Sequence, residues 1–205
     1  MKKTFDRKII MSFIRKYNLE KVLKENIIEQ MELISFSKGE VVCSNDSELR
    51  YMFFLVEGKI KTYTLHDNGK SILLGFSYPL SVLGDVELFT DYNVICNVES
   101  IDKSTFIAIK MEKLRTYAYE DAIFLKFIIE NLSSKLYSTT SATSINLLYS
   151  FETRLASYLL SMSNYNDNLS DYIEIKIPKL TEIAPLLGTS YRHLNRTVKS
   201  LLIRI

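Results

Sequence analysis

LLGTSYRHLNRTVK, residues 186–199, sets the reading of the whole chain. An apolar run stops at Gly188, a residue type that closes helices because it tolerates a left-handed backbone. Ser190 then offers an N-cap, and Leu194, Val198 and Leu201 recur at helical spacing. The stretch reads as helix, tight turn, helix. The far side of the second helix is left to Tyr191, Arg192, Asn195, Arg196 and Lys199, and residues 189–205 contain Arg192, Arg196, Lys199 and Arg204 but no Asp or Glu. Basic groups on one face displace counterions condensed on a phosphate-lined groove, while Arg and Asn pair with base edges. The face reads as a DNA-recognition helix, although an ordinary helical hairpin with a solvated basic face shares the spacing.

The charge distribution points the same way. Seven basic and five acidic residues follow Ser150, against 19 and 19 before it, so the net charge of +2 is entirely C-terminal. A basic footprint confined to one end fits local nucleic-acid contact better than general adhesion. With 205 residues, 47% of them hydrophobic, the chain is long enough for two domains with real cores. No apolar run reaches bilayer length, and MKKTFDRKII is followed by Arg15, Lys16 and Glu20 instead of a signal-peptide core. A cytoplasmic protein with no membrane partner is expected. Cys43 and Cys96 match no metal or redox spacing and should stay thiols in a reducing compartment. His66 and His193 are too few for a His-rich metal site, and no Ser-His-Asp or Cys-His arrangement is recognisable, so neither enzyme nor metal is expected.

Outward from the C-terminal motif the texture changes twice. From Asp6 to Gln30, Ile9, Phe13, Leu19, Val22, Leu23 and Ile27 recur at helical spacing, with Asn18 as a break between two short helices. After Met31, runs at 40–43, 51–57, 59–65, 71–76, 94–100 and 105–110 are rich in strand formers and divided by turns, which predicts a compact antiparallel β domain. Asn68-Gly69 in HDNGK predicts a two-residue hairpin turn. Beyond Leu114 the period reverts to helix: Ala118, Ala122, Leu125, Ile129, Leu132 and Leu136 alternate steps of four and three, the seam of a coiled coil. The economical partner for that seam is a second copy, with Phe124, Phe127 and Ile128 free to pack on the β domain; packing of the whole helix on its own chain is the alternative. The seam turns polar at TTSATS (139–144), where the helix is expected to loosen. A helix capped by Ser150, a polar loop at 163–171 and a short strand in DYIEIKIP precede the turn unit, KLTEIAPLLG forming its first helix.

That order resembles the Crp/Fnr family of bacterial transcription regulators across nearly the whole chain. ETRLASYLL is similar to the family's first helix after the hinge, EIAPLLGTSYRHLNRTVKSL to its helix-turn-helix, and VEGKIKTY, DNGKSILLGF and LGDVELF to its β-roll; TSYRHLNR departs from the more usual recognition sequence toward a subgroup. The resemblance implies an α+β fold: an N-terminal antiparallel β-roll of jelly-roll, cyclic-nucleotide-binding type with flanking helices (1–114), a long dimerisation helix (115–149) and a C-terminal helix-turn-helix (150–205). It implies a homodimeric regulator on double-stranded DNA with a pseudo-palindromic site, a small-molecule effector, and RNA polymerase as a further partner. It assigns base-edge or phosphate contacts to Ser190, Tyr191, Arg192, Asn195 and Arg196. Physics supports guanine readout by Arg192 and Arg196, adenine or phosphate contact by Asn195, and phosphate or solvent for Lys199. His193 is expected to face sideways or pack inward.

The chain departs from the family in three places. Family members that bind cyclic nucleotides use a glutamate for the ribose and an arginine for the phosphate; here the stretch is LGDVELFTDYNVICNVES (83–100), with no Lys, Arg or His between Val86 and Asp102. A phosphate among Asp85, Glu87, Asp91 and Glu99 would be repelled, so cyclic AMP is not expected. The candidate effector pocket is Gly84, Asp85, Glu87, Val94 and Cys96: Gly84 for backbone approach, Asp85 or Glu87 as acceptors, Cys96 facing the same way as Val94 and Val98. Cys43 or Cys96 as a redox sensor is the sharper reading; a small core residue is the plainer one. No cofactor is expected, since there is no cysteine cluster for an iron–sulfur centre and no distinctive haem ligand. Pro185 falls inside the first helix of the turn unit, tolerable in its opening turn if Thr181 is the N-cap. After LLIRI the family pattern continues into a two-stranded wing, so a helix-turn-helix lacking a complete wing is expected, and with it an alternative function: a dimeric ligand-sensing or protein-interaction module with weak or lost DNA binding.

Overall fold

A computed structural model describes residues 1–65, 71–162 and 177–203. In chain order the elements are β1 (Lys2–Thr4), α1 (Arg7–Lys16), a single 3-10 turn (Leu19–Lys21), α2 (Glu25–Ile28), β2 (Glu32–Phe36), β3 (Val41–Cys43), β4 (Tyr51–Glu57), β5 (Ile60–Leu65), β6 (Ser71–Ser77), β7 (Ser81–Leu83), α3 (Asp85–Phe89), β8 (Asn97–Ser100), β9 (Ser104–Lys110), α4 (Met111–Ala118), α5 (Ala122–Leu148), α6 (Phe151–Met162), α7 (Leu180–Leu186) and α8 (Tyr191–Ile203). The fold is α+β, as expected. The Asn68-Gly69 turn, the polar loop and most of the DYIEIKIP strand lie outside the described residues.

Two antiparallel sheets make the β-roll, one of five strands in the order β1-β2-β9-β4-β7 and one of four in the order β3-β8-β5-β6. The central strands of the first, β4 and β9, are buried on both faces. Along β4, Met52, Phe54 and Val56 pack with Ile10, Phe13 and Ile14 of α1, whereas Phe53 and Leu55 join Val98 and Cys43 on the other side. β9 repeats the division, Ile107 and Ile109 against Phe106 and Ala108. Period-two alternation thus separates two cores, which is why YMFFLVE reads as one continuous apolar run. Three strands escape the sequence reading. β1 is Lys-Lys-Thr, fully exposed and attached through its backbone pairing to β2; β2 carries apolar residues toward both cores; β7 has only three residues.

The helical lead-in forms as expected: Asp6 Oδ1 caps α1 by accepting from the N–H of Lys8 and Ile9 at 3.0 and 3.1 Å, and Asn18 breaks the helix at φ 53°. The chain divides into two compact units, Met1–Thr62 with Gly75–Thr139, and Tyr63–Leu74 with Thr140–Ile205. The second contains α6, α7 and α8, a helix-turn-helix preceded by one further helix.

The long helix differs from expectation at both ends of its seam. Ala118 closes α4 and is fully buried in the helix-side core, so it does not belong to an exposed seam. The reason is a corner at Asp121. Its Oδ1 accepts from the N–H of Ile123 and Phe124, both at 3.0 Å, while Oδ2 takes the Tyr117 hydroxyl at 2.9 Å and pairs with Lys24 Nζ at 3.1 Å. A side chain that satisfies the first N–H groups of a new helix starts one and ends its predecessor. Nor does TTSATS loosen the rod: α5 runs unbroken from Ala122 to Leu148, the Ser144 hydroxyl bonding back to the Thr140 carbonyl at 3.0 Å.

The Phe124 N–H, then Lys24, hold the Asp121 carboxyl down at about 2 against an ordinary 3.8. A depressed folded-state value contributes stability that is complete above the unfolded value and disappears as pH falls toward the folded one. Asp121→Ala should cost about 1 kcal/mol near neutral pH, and its gap from the parent should close between roughly pH 4 and pH 2, as read from urea midpoints.

Candidate functional sites

α7 begins at Leu180 with Lys179 as its N-cap, not Thr181: the N–H groups of Glu182 and Ile183 donate to the Lys179 carbonyl at 2.8 and 3.2 Å. Pro185 therefore sits in the last turn. The helix closes there through Gly188, at φ 63°, with Gly188 N–H to the Pro185 carbonyl and Thr189 N–H to the Ala184 carbonyl, both 2.9 Å. Ser190 caps α8, its Oγ accepting from the His193 N–H at 3.2 Å. The cap uses only an acceptor lone pair of that hydroxyl, whose O–H stays free to donate.

α8 turns Leu194 and Thr197 inward, the latter with its hydroxyl on the His193 carbonyl at 3.1 Å, while Val198 and Leu201 are half-buried. They close on Ile183, Ala184, Leu186 and Leu187 of the preceding turn, all buried. Tyr191, Arg192, Arg196 and Lys199 remain exposed, and Asn195 is half-buried beside them. His193 both packs and positions: its ring centroid lies 4.9 Å from that of Phe151, and its Nδ1 lies 2.9 Å from an Arg196 guanidinium nitrogen. Phe151, which the sequence placed only in a stripe, thus steadies the histidine that orients an arginine.

At the β-roll site the geometry rearranges the expected roles. Gly84 lies at φ 95°, and a Cβ there would come within 2.5 Å of Met111 Cε and 3.2 Å of the Tyr51 carbonyl, so only glycine fits. Asp85 is buried at 2% exposure and is not an open acceptor. Both of its oxygens lie 2.7 Å from Lys135 Nζ, which also donates to the Val82 carbonyl at 2.6 Å. Val94 is 3% exposed and packed with Phe36, Phe53 and Phe106, which makes it a core residue and not a pocket wall. Those three rings meet edge to face at centroid distances of 5.6 to 6.3 Å and occupy the space between the sheets. Cys96 is half-buried on the same core, and Glu87 is half-buried in an open cleft of about 910 Å³ that also reaches Cys43 and Tyr51.

The sequence missed two cations because they come from later helices. Lys135 arrives from α5; Arg115 arrives from α4, donating to the carbonyls of Glu87 and Thr90 at 3.1 and 3.4 Å with Asp91 at 4.0 Å. Burial pushes the Cys43 thiol up to about 12, with Cys96 and Glu87 adding to it, and burial raises Cys96 as well. Both sulfurs are therefore protonated at neutral pH, the opposite of what thiol sensing requires. Among the described residues no group of three or more His, Cys, Asp or Glu is placed to hold a metal ion, and no helix is long and apolar enough to cross a membrane.

Removing the Lys135 ammonium leaves a buried carboxylate without its partner. Lys135→Met should cost about 3 kcal/mol, the low end for a buried pair because the lysine is partly exposed, whereas Asp85→Leu with Lys135→Met should recover most of it. Denaturant unfolding of the single and double variants measures the difference.

Comparison with known proteins agrees with this architecture. Residues 33–121 match the family model of the cyclic nucleotide-binding domain. The chain is 26% identical to "Regulatory protein YeiL" of Escherichia coli O157:H7 over 162 residues, 79% of this chain and 70% of that protein. Among solved structures it is similar to a transcriptional regulator of the Crp/Fnr family from Eubacterium rectale, with a TM-score of 0.77 at 16% identity, covering 94% of this chain and 88% of the other. It is also similar to the c-di-GMP responsive global regulator CLP of Xanthomonas campestris, with a TM-score of 0.73 at 18% identity over 85% and 88% of the two chains. Residues 33–121 thus match the cyclic nucleotide-binding domain, and the chain has the fold of the Crp/Fnr transcription regulators it resembles.

Proposed function

We propose that the chain acts as a homodimeric, sequence-specific DNA-binding transcription regulator in the cytoplasm, with no enzymatic activity of its own. The observation that carries this reading is the face of α8: exposed Tyr191, Arg192, Arg196 and Lys199 on a capped helix, with no acidic residue on it. Arg196, oriented by His193, and Arg192 one turn earlier supply bidentate donors for guanine; Asn195 reads adenine or a phosphate; Lys199 meets a phosphate.

The dimer follows from the rotation of α5. Phe124, Ile128 and Lys135 face the β-roll, which leaves Ala122 and the apolar Ile129 and Leu136, at 62% and 70% exposure, on an outer face flanked by half-buried Leu125 and Leu132. A second copy covering that seam would set two recognition helices about one duplex turn apart and call for a pseudo-palindromic site. The β-roll would bias the helix through Asp85 and Lys135, in response to a signal other than cyclic AMP: the nearest cations are already bonded, and three phenylalanines fill the interior. RNA polymerase is the partner through which such a regulator would act.

The test is selection of a duplex from a random pool followed by titration. Binding should fall steeply with salt, and Arg192→Ala or Arg196→Ala should cost about 1 to 3 kcal/mol and relax the preference at one base pair per half-site. Absent or salt-insensitive binding to every duplex would replace the regulator with a ligand-sensing module. Leu136→Glu, on an exposed position, should shift the sedimenting species from dimer to monomer with the helical signal intact; an unchanged dimer would place the interface elsewhere.

A further inference from the structure

The cleft beside α3 carries an unusual distribution of partners. Its lining is mixed, polar groups alternating with an apolar and aromatic part made by Leu49, Tyr51, Phe53 and Met111, and Glu87 enters it from α3. Its volume of about 910 Å³ falls within the range of small-molecule sites. Four of the cations along its walls are engaged: the Met1 amine by Glu40 at 2.6 Å, Lys3 by the Tyr51 hydroxyl at 2.7 Å, Arg50 by Glu48 at 3.5 Å, and Arg115 by two carbonyls. Lys110 and Glu112 are exposed. Glu87 is the reverse case. Its carboxylate is half-buried and accepts from its own backbone N–H, while among the described residues no side chain is hydrogen-bonded to it or paired with it. Lys135, the cation that acts on it through space, has all three ammonium hydrogens on Val82 and Asp85. Burial, together with Asp85, pushes the Glu87 carboxyl upward, which is what a carboxylate set apart from water and cations should show. The Tyr51 ring already takes a cation, Lys3 Nζ lying 4.3 Å from its centroid.

We propose that this cleft binds a small organic cation, a primary amine on an apolar or aromatic body, with the ammonium on Glu87 and the body against Leu49, Tyr51, Phe53 and Met111. An ammonium supplies the charged partner that the half-buried carboxylate, held only by its own backbone N–H, does not have among the described residues. An anionic ligand seated on Glu87 would meet like charge there. Calling this amine the regulator's effector rests on the reading of the chain as a DNA-binding regulator; the binding itself does not.

Isothermal titration of the full chain with phenethylamine, with phenylacetate as its anionic counterpart, tests the proposal without DNA. Phenethylamine should bind saturably, phenylacetate at least tenfold more weakly, and Glu87→Gln, nearly the same shape, should weaken phenethylamine about tenfold or more, while Glu112→Gln on the rim leaves it unchanged. No saturable binding of phenethylamine at about 10 mM, equal binding by Glu87→Gln, or a preference for phenylacetate overturns it. Circular dichroism and the unfolding midpoint of Glu87→Gln report whether the variant is folded. Amine binding by a chain that ignores every duplex would uphold the cleft and remove the regulator; duplex binding without amine binding would do the opposite.

Discussion

A buried carboxylate needs a cation, and the structure turns on where that cation comes from. Asp85 stands at the start of α3 with almost no exposure, and the following sixteen residues contain no Lys, Arg or His. The ammonium is supplied from Lys135, fifty residues on, with the Val82 carbonyl completing its shell. Once Lys135 faces the β-roll, the rotation of α5 is set. Phe124, Ile128 and Asn131 lie along the same stripe, and at 3.6 residues per turn Ile129 and Leu136 fall about 120° around the rod. One ion pair thereby settles which side of the helix packs on the β-roll and which is left exposed.

The parts of the fold that were legible in sequence are those in which local chemistry and tertiary packing agree. Ser190, Gly188 and the Leu194 spacing specify the C-terminal turn unit, and each does in the structure what its residue type favours. Ala118 and Ala122 look like successive members of one repeat because a heptad count is blind to an N-cap; Asp121 divides them by taking two N–H groups. TTSATS has poor helix formers but sits in the middle of a rod whose flanks are fixed, and propensity yields to context. β1 and β2 were hidden for opposite reasons, one carrying no apolar signal at all and the other facing two cores at once.

The candidate sites divide along a similar line. Residues whose proposed role depends only on their own helix face, Tyr191, Arg192, Arg196 and Lys199, are exposed where the period placed them. Residues whose role depends on a distant partner were not legible: Asp85 reads as an acceptor until Lys135 is seen, and Val94 reads as a pocket wall until three phenylalanines close over it. Arg115 and Lys135 supply the positive charge that residues 86–102 lack, and both spend it on carbonyls and a carboxylate within the protein. Glu87 is left without a side-chain partner among the described residues, a feature visible only once Lys135 and Arg115 have been followed to theirs.

The claim that the Asp85 and Lys135 pair fixes the outward face of α5 is tested most directly by cysteine cross-linking along that helix. With Cys43 and Cys96 replaced by alanine, single cysteines would be placed at Ile129, Leu136 and, elsewhere around the rod, Glu130. The account predicts that Ile129→Cys and Leu136→Cys form a covalent dimer under mild oxidation while Glu130→Cys does not. Equal or faster cross-linking at Glu130, or none at either seam position, would contradict it.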